Sequence, residues 1–270
     1  MTTRRDRAER LRALPEPGRP LVLVNAWDVA SARTVAAAPG CEAVATASWA
    51  IAAAHGLPDG EILPRAHMLA AIERIASAID LPLSADLEAG YGATATDVGE
   101  TVAAALAAGV VGCNLEDGTG DAARPVRTAD EHAGRVAAAV EAGARVGVPI
   151  VVNARTDVFL ANVGDAAGRL PEALARGRAW VAAGAACVFV PGVRDAETIG
   201  VLTREMGGPV SVLAVPGSPS LAELARLGVA RVSIGPGGMG LAMAALARGA
   251  ADILAGVPWP DDLAHRPAAG

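Results

Sequence analysis

The chain predicts a (β/α)8 TIM barrel, an α/β fold of eight parallel strands each followed by a helix, and three observations predict it. Eight short β-type runs recur along the 270 residues, near 21–24, 43–46, 81–85, 110–115, 149–153, 187–190, 210–213 and 231–234. They are mostly continuous apolar runs, as befits strands buried on both faces of a parallel sheet. Helical stretches follow them, near 29–38, 65–78, 96–108, 128–146, 165–183, 195–206, 220–227 and 238–254. Several helix-to-strand junctions carry the same punctuation, Gly109, Gly184 and Gly228, and glycine takes the left-handed conformation that ends a helix. No long Pro-, Ser- or Gly-rich linker divides the chain. We therefore expect a single barrel domain over 1–257, including an N-terminal helix, and a loose Pro- and Ala-rich tail over 258–270. The rival, an open doubly wound sheet, usually has a glycine-rich first turn, and here that turn reads Asn25-Ala26-Trp27-Asp28.

Composition narrows the function. Hydrophobic residues make up 52% and aromatics 3%, so the core is built from Ala, Val, Leu and Ile. All 23 basic residues are Arg, which excludes Schiff-base chemistry on a lysine and a P-loop lysine. A net charge of −6 and a pI near 5.3 argue against a nucleic-acid surface. The basic opening, Arg4-Arg5-Asp6-Arg7, reads as the polar face of a surface helix running to Leu14. No apolar stretch is long enough for a membrane helix, and a cytoplasmic location is expected. Cys41, Cys113 and Cys187 have no metal-site spacing and lie in apolar surroundings, as core residues.

Chemistry in such a barrel gathers at the carboxyl ends of the strands. The first strand ends at Asn25, Trp27 and Asp28. The second ends at Ser48 and Trp49, followed by a long loop with His55, Asp59 and Glu61. The third delivers Asp86 and Glu88, the fourth Asn114, Glu116 and Asp117, the fifth Arg155 and Asp157. Asp86 and Glu88 are two apart, so in an extended segment they leave on one face. Like charges gathered this way repel unless a cation lies between them. A carboxylate set with no His or Cys suits a hard cation, Mg²⁺ or Mn²⁺. Mg²⁺ keeps several waters, so Asp86 is expected as the closest contact, with Glu88, Glu116 and Asp59 acting partly through water.

The stretches Leu23–Ala26, Ser48, Gly56-Leu57-Pro58-Asp59, Asp86–Gly92, Asn114-Leu115-Glu116-Asp117 and Ala154–Asp157 resemble the isocitrate lyase/phosphoenolpyruvate mutase superfamily in order and spacing. The resemblance spans about 21–235. It implies Mg²⁺ held by Asp86, with Glu88, Glu116 and Asp59 holding its waters, and chemistry through a metal-bound enolate. It further implies that Arg155 pairs with a substrate carboxylate and that the backbone around Ser48 and Trp49 forms an oxyanion hole. Asn25, Trp27 and Asn114 complete the expected substrate contacts. Lyases of that superfamily carry a Lys-Lys-Cys-Gly-His loop after strand four; here the loop is Gly118-Thr-Gly-Asp-Ala-Ala-Arg-Pro-Val126, which has no Cys, His or Lys. Arg124, Arg127 and Asp121 could supply charge there, but Thr128 and Glu131 have the spacing of a helix capping box, which places this segment on the surface equally well. After strand six, where lyases have Glu and the mutase His, stands Val190-Pro191-Gly192.

The expected function is an Mg²⁺-dependent carbon–carbon lyase acting on a small 2-oxo or 2-hydroxy carboxylic acid, oxaloacetate-decarboxylase-like or 2-methylisocitrate-lyase-like, with a decarboxylase of an oxaloacetate-like acid fitting the missing proton donor best. The alternatives are P–C bond chemistry on a phosphonopyruvate-like substrate, and a non-catalytic metal- and carboxylate-binding barrel. Residues 238–254 are apolar almost all round, which calls for cover by another subunit. The resemblance implies exchange of this helix within a homodimer or homotetramer.

Overall fold

The structure is a computed structural model that describes residues 2–16 and 18–258. Its parallel strands form one sheet that closes on itself. The first barrel strand is interrupted at Val24 into β1 (Leu21–Leu23) and β2 (Asn25–Ala26). β1 pairs with the last strand, β9 (Arg231–Ser233), and β2 pairs with β3 (Val44–Thr46), which closes the ring. Between them run β4 (Leu83–Asp86), β5 (Gly112–Glu116), β6 (Val151–Arg155), β7 (Cys187–Phe189) and β8 (Val210–Leu213), each pairing with its sequence neighbours. The (β/α)8 expectation holds.

The helices are α1 (Arg4–Ala13), α2 (Val29–Ala36), α3 (Ser48–Ala54), α4 (Arg65–Ser77), α5 (Ala95–Ala107), α6 (Ala129–Arg145), α7 (Ala166–Ala182), α8 (Ala196–Glu205), α9 (Leu221–Arg226) and α10 (Gly237–Leu254). All eight expected strand-following helices form within about two residues of their expected ends. The start of α6 is set as read: Thr128 Oγ1 accepts from the Glu131 amide at 3.2 Å, and Glu131 accepts from the Thr128 amide at 2.8 Å. α3 corrects the expectation of a plain loop after strand two. Its run of alanines favours a helix, yet its N-cap is Ala47, which makes no side-chain cap, so the usual start signal is missing.

Three strands reach further toward their carboxyl ends than the apolar runs indicate. β4, β5 and β6 end on Asp86, Glu116 and Arg155, and Glu116 lies directly opposite Arg155 in the ladder. Polar residues continue these strands because they face the barrel interior. Arg231 of β9 bonds Ser84 of β4 and Asn114 of β5, strands that are not its neighbours, and it can do so only across the inside of the ring.

α1 closes the amino-terminal end. Leu11 is buried, and a Cβ placed on Gly112 would lie 2.7 Å from its Cδ2 and 3.1 Å from the Val151 carbonyl oxygen. Gly112 is therefore the position at which β5 admits the plug. At the other side of the fold, α10 buries Met239 and leaves Leu241, Leu246 and Leu254 exposed at 73%, 64% and 88%. No described helix is long and apolar enough to cross a membrane. Beyond Pro258, the tail lies outside the described residues.

Candidate active site

The carboxyl ends of the strands enclose a cavity of about 240 Å³. Asn25, Ser48, Trp49, Asp59, Asp86, Asn114 and Arg155 all line it. A larger cavity of about 600 Å³ lies at the opposite end beside α1, walled mainly by apolar residues, with Glu16 the one carboxylate among its described lining residues. The smaller one, which gathers Asp59 and Asp86 beside Arg155, is the candidate site.

Asp86 is 8% exposed and ends β4. Its amide donates to Thr46 Oγ1 at 2.9 Å, and its Oδ2 accepts from the amide and hydroxyl of Ser48 at 3.3 and 3.1 Å. The first residue of α3 thus fixes the rotamer of the acid, and the start of that helix faces the mouth. The expected oxyanion donor, the Ser48 amide, is engaged with Asp86. Trp49, next along α3, forms the rim and is 48% exposed.

Glu88 departs from the same-face reading. The strand stops at Asp86, and Glu88 adopts φ +51°, a left-handed conformation, so the alternation of an extended chain no longer applies. Its buried carboxylate accepts from the amides of Gly60 and Glu61 and from the Tyr91 hydroxyl, and it does not line the cavity. Glu61 and Tyr91 also have positive φ, and the Tyr91 amide donates to Glu61 at 2.6 Å. Three non-glycine residues in this region, bonded to one another, anchor the loop that carries Asp59.

Asp59 stands on the exposed rim of the cavity. Burial of its carboxyl, then the charge of Asp86, raise its pKa above the ordinary value. Burial pushes Glu88 up to about 7, with Asp59 and Asp86 adding to the rise against the hydrogen bonds from Tyr91 and the Glu61 amide. Glu116 is raised well above the usual range, because burial and the charges of Asp157, Asp86 and Asp59 outweigh Arg155. The guanidinium of Arg155 donates through Nε and Nη2 to Asp157 at 2.6 and 3.0 Å, and Nη1 lies 2.6 Å from Glu116. Burial works against its charge, but the two carboxylates hold its pKa above the ordinary value. One N–H on each terminal nitrogen is left for a ligand.

The remaining expected residues divide. Asn25 and Asn114 lie in the floor, at 3% and 5% exposure. Asn25 donates to the Thr46 carbonyl at 2.7 Å and accepts from Ser233 at 3.0 Å. Trp27 is outside the cavity, in a groove between α2 and α10. Asp117 is fully buried and structural: it accepts from the Asp157 amide, from Thr156 and from Arg176, tying β5 to β6 and α7. His55 caps α3 through its own ring, bonding the Ile51 carbonyl at 2.9 Å. Arg124 pairs with Glu131 and Arg127 donates to the Gly118 carbonyl, so both loop cations have partners outside the mouth.

Two groups were not read from the sequence. Arg231 lies beneath the floor, 3% exposed, and donates to Asn114 Oδ1 at 3.3 Å while Asn153 donates to the same oxygen at 2.7 Å. With its oxygen held from below, Asn114 keeps its NH2 for the cavity. A single Arg at the start of a short apolar run carries no signal of this role. The far wall is formed by Leu160, Phe189, Pro191, Leu213 and Pro236, apolar residues indistinguishable in sequence from core.

Among the described residues, no group of three or more Asp, Glu, His or Cys side chains is close enough to ligate one ion together. A site with one direct carboxylate and further carboxylates at a water's distance fits that geometry, and the all-oxygen donor set fits Mg²⁺. The raised carboxylates around Asp86 fit it too, since a cation among them would relieve their repulsion.

A closed βα barrel with an acidic mouth and one guanidinium has the architecture of a barrel enzyme with its site at the strand ends. The chain belongs to the phosphoenolpyruvate phosphomutase family, whose profile matches residues 11–254, and with it to the isocitrate lyase/phosphoenolpyruvate mutase superfamily. A solved structure from Burkholderia cenocepacia J2315, provisionally described as a phosphonomutase, is 45% identical, with a TM-score of 0.86 over 94% of this chain and 100% of that one. A 2,3-dimethylmalate lyase structure is 29% identical (TM-score 0.82, covering 96% and 91%). A phosphonopyruvate hydrolase in complex with oxalate and Mg²⁺ is 26% identical (TM-score 0.83, covering 96% and 91%).

Proposed function

We propose that the protein is an Mg²⁺-dependent lyase that cleaves a carbon–carbon bond of a small 2-oxo or 2-hydroxy carboxylic acid. The observation that carries this reading is that Asp86, fixed by Ser48 and Thr46, and Arg155, with N–H groups left unengaged by its two acids, line one small cavity. Asp86 would contact the ion, and Asp59, Glu88 and Glu116 would orient its waters. Mn²⁺ would suit the same donors. Bound there, the ion supplies positive charge to the oxygen that becomes negative as the bond breaks.

The chain's own groups do the rest. Arg155 takes the substrate carboxylate through its two remaining N–H groups, and Asp157 and Glu116 keep it from swinging away. Asn114, held by Arg231 and Asn153, and Asn25, held by Ser233, orient the substrate from the floor. Trp49 shields the mouth from water. The C–C reading is favoured over P–C chemistry because a phosphonate dianion would need more positive charge than one guanidinium already paired with two acids provides. The apolar face of α10 fits exchange between copies in a homodimer or homotetramer.

The test is release of a 2-oxo acid product from a panel of candidate acids, read by coupling to lactate dehydrogenase. The expected result is Mg²⁺-dependent turnover that falls at least about 100-fold in Asp86→Ala. Turnover that survives removal of divalent ions would refute the reading.

A further inference from the structure

Arg231 is a buried cation that forms no ion pair with any carboxylate among the described residues. It is 3% exposed and donates only through Nη2, to Ser84 Oγ at 3.2 Å and Asn114 Oδ1 at 3.3 Å. Its Nε is buried without a partner. Burial lowers its pKa below the ordinary value, and the opposing pull of Asp86 is a weaker effect. A guanidinium left this way is costly inside a fold, and an anion beside it would offset much of that cost.

The cavity of about 600 Å³ beside α1 is where such an anion can stand. Arg231 belongs to its wall and not to the wall of the catalytic cavity. Leu11, Leu21, Val151, Cys187, Pro209 and Val229 make most of the remaining surface apolar. Arg12 and Arg226 add two exposed guanidiniums to the lining, the first donating to the Ile150 carbonyl at 3.1 Å. Glu16, the one carboxylate among the described lining residues, is exposed and paired with Arg19 at 3.2 Å. Arginines thus outnumber acids in this lining, although the chain as a whole carries a net charge of −6.

We infer that this cavity is a second ligand site, for a carboxylate with an aliphatic chain, its head at Arg231 and its chain along Leu21, Val151 and Val229. The guanidinium supplies charge and N–H donors to the head, and the apolar wall takes the chain out of water. A bare inorganic anion would leave that wall unfilled, and a neutral hydrocarbon would leave Arg231 unpaired. The volume lies within the ~300–1,000 Å³ of small-molecule sites. This inference does not depend on the reaction proposed above, since the ligand lies on the other side of Arg231 from the Asn114 that lines the catalytic cavity.

The probe is octanoate, with octanol lacking the charge and acetate lacking the chain. Titration calorimetry of the full chain is run with and without Mg²⁺ and oxalate, which occupy the carboxyl-end cavity if the proposed function is right. The expected result is that octanoate binds at least about tenfold tighter than octanol or acetate, and within about threefold of the same affinity when Mg²⁺ and oxalate are present. Arg231→Met, and Ala225→Trp, which fills the cavity from α9, are each expected to weaken octanoate at least about tenfold, whereas Asp86→Ala leaves it within about threefold. Amide hydrogen exchange of the wild type locates the ligand even where a variant does not fold: octanoate should protect 11–23 and 224–233 and leave 48–61 and 241–254 unchanged. Octanol binding as tightly as octanoate, competition by oxalate with Mg²⁺, protection at 48–61 or 241–254 instead, or no binding of octanoate overturns the inference. Failure of oxalate with Mg²⁺ to bind, while octanoate protects the amino-terminal end, counts against the proposed function alone.

Discussion

Single side chains in this barrel are held by partners that their position in the chain does not reveal. Asp86 and Glu88 stand two residues apart in the same short motif, yet one faces the cavity and the other braces a loop, because the backbone turns left-handed at Glu88. His132 shows how burial alone sets a chemical state. It is fully buried on α6, its ring edge-on to Trp180 at 4.5 Å, and neither ring nitrogen makes a hydrogen bond of good geometry. Burial, then the charges of Arg135 and Arg127, lowers its pKa to about 3 from 6.5. At His132 the unfolded chain therefore binds a proton below pH 6.5 that the folded chain refuses, and the contribution of this group to stability falls as pH falls toward 3. The loss between pH 6.5 and pH 5 is expected to be roughly 2 kcal/mol, at about 1.4 kcal/mol per pH unit. Glu88, Glu116 and Asp117, raised by burial, contribute with the opposite sign in that window, so the reading is a difference. Urea unfolding should show stability in His132→Leu depending on pH less positively than in the wild type by about this amount, and equal slopes would exclude the His132 contribution.

At the scale of elements, legibility followed the strength of the local signal. The strand-following helices were readable because many carry side-chain caps at their starts and close on glycine: Thr94, Thr128, Asp165, Asp195 and Ser220 each cap one. α3 was not readable, because Ala47 caps nothing, and it is the element that aims Ser48 at Asp86. The strand ends were placed early because apolar runs stop where polar interior residues begin, although the ladder continues through Asn114–Glu116 and Asn153–Arg155. α10 was legible as a helix with too much apolar surface, and the structure leaves that surface outward. If a second copy covers it, light scattering should give a mass at least twice 26.9 kDa, and Leu246→Glu with Leu241→Glu should lower it. A wild-type monomer at micromolar concentration would contradict the exchange.

For the whole molecule, the barrel divides its labour by end. The amino-terminal end is plugged by Leu11 against Gly112, and its packing stabilises the ring without touching the chemistry. The carboxyl end gathers acids from three successive barrel strands and the loops that follow them, tolerable in a stable fold only with compensation. Arg155 and the amides bonding Glu88 share that task, and the proposed divalent ion would complete it. Most of the polar half of the site was legible in Asp86, Glu116 and Arg155, since ionisable residues at strand ends stand out against apolar runs. The apolar half was not, because Leu160, Phe189 and Leu213 look like core until the fold places them at the mouth. The central claim is a cation held through Asp86 beside a bound acid. It is tested most directly by thermal unfolding with Mg²⁺ alone, oxalate alone, and both together, in the wild type and in Asp86→Ala. The account predicts that the pair raises the midpoint well beyond the sum of the two separate shifts, and that Asp86→Ala loses this gain while remaining folded. Equal stabilisation of wild type and Asp86→Ala, or none in the wild type, would contradict it.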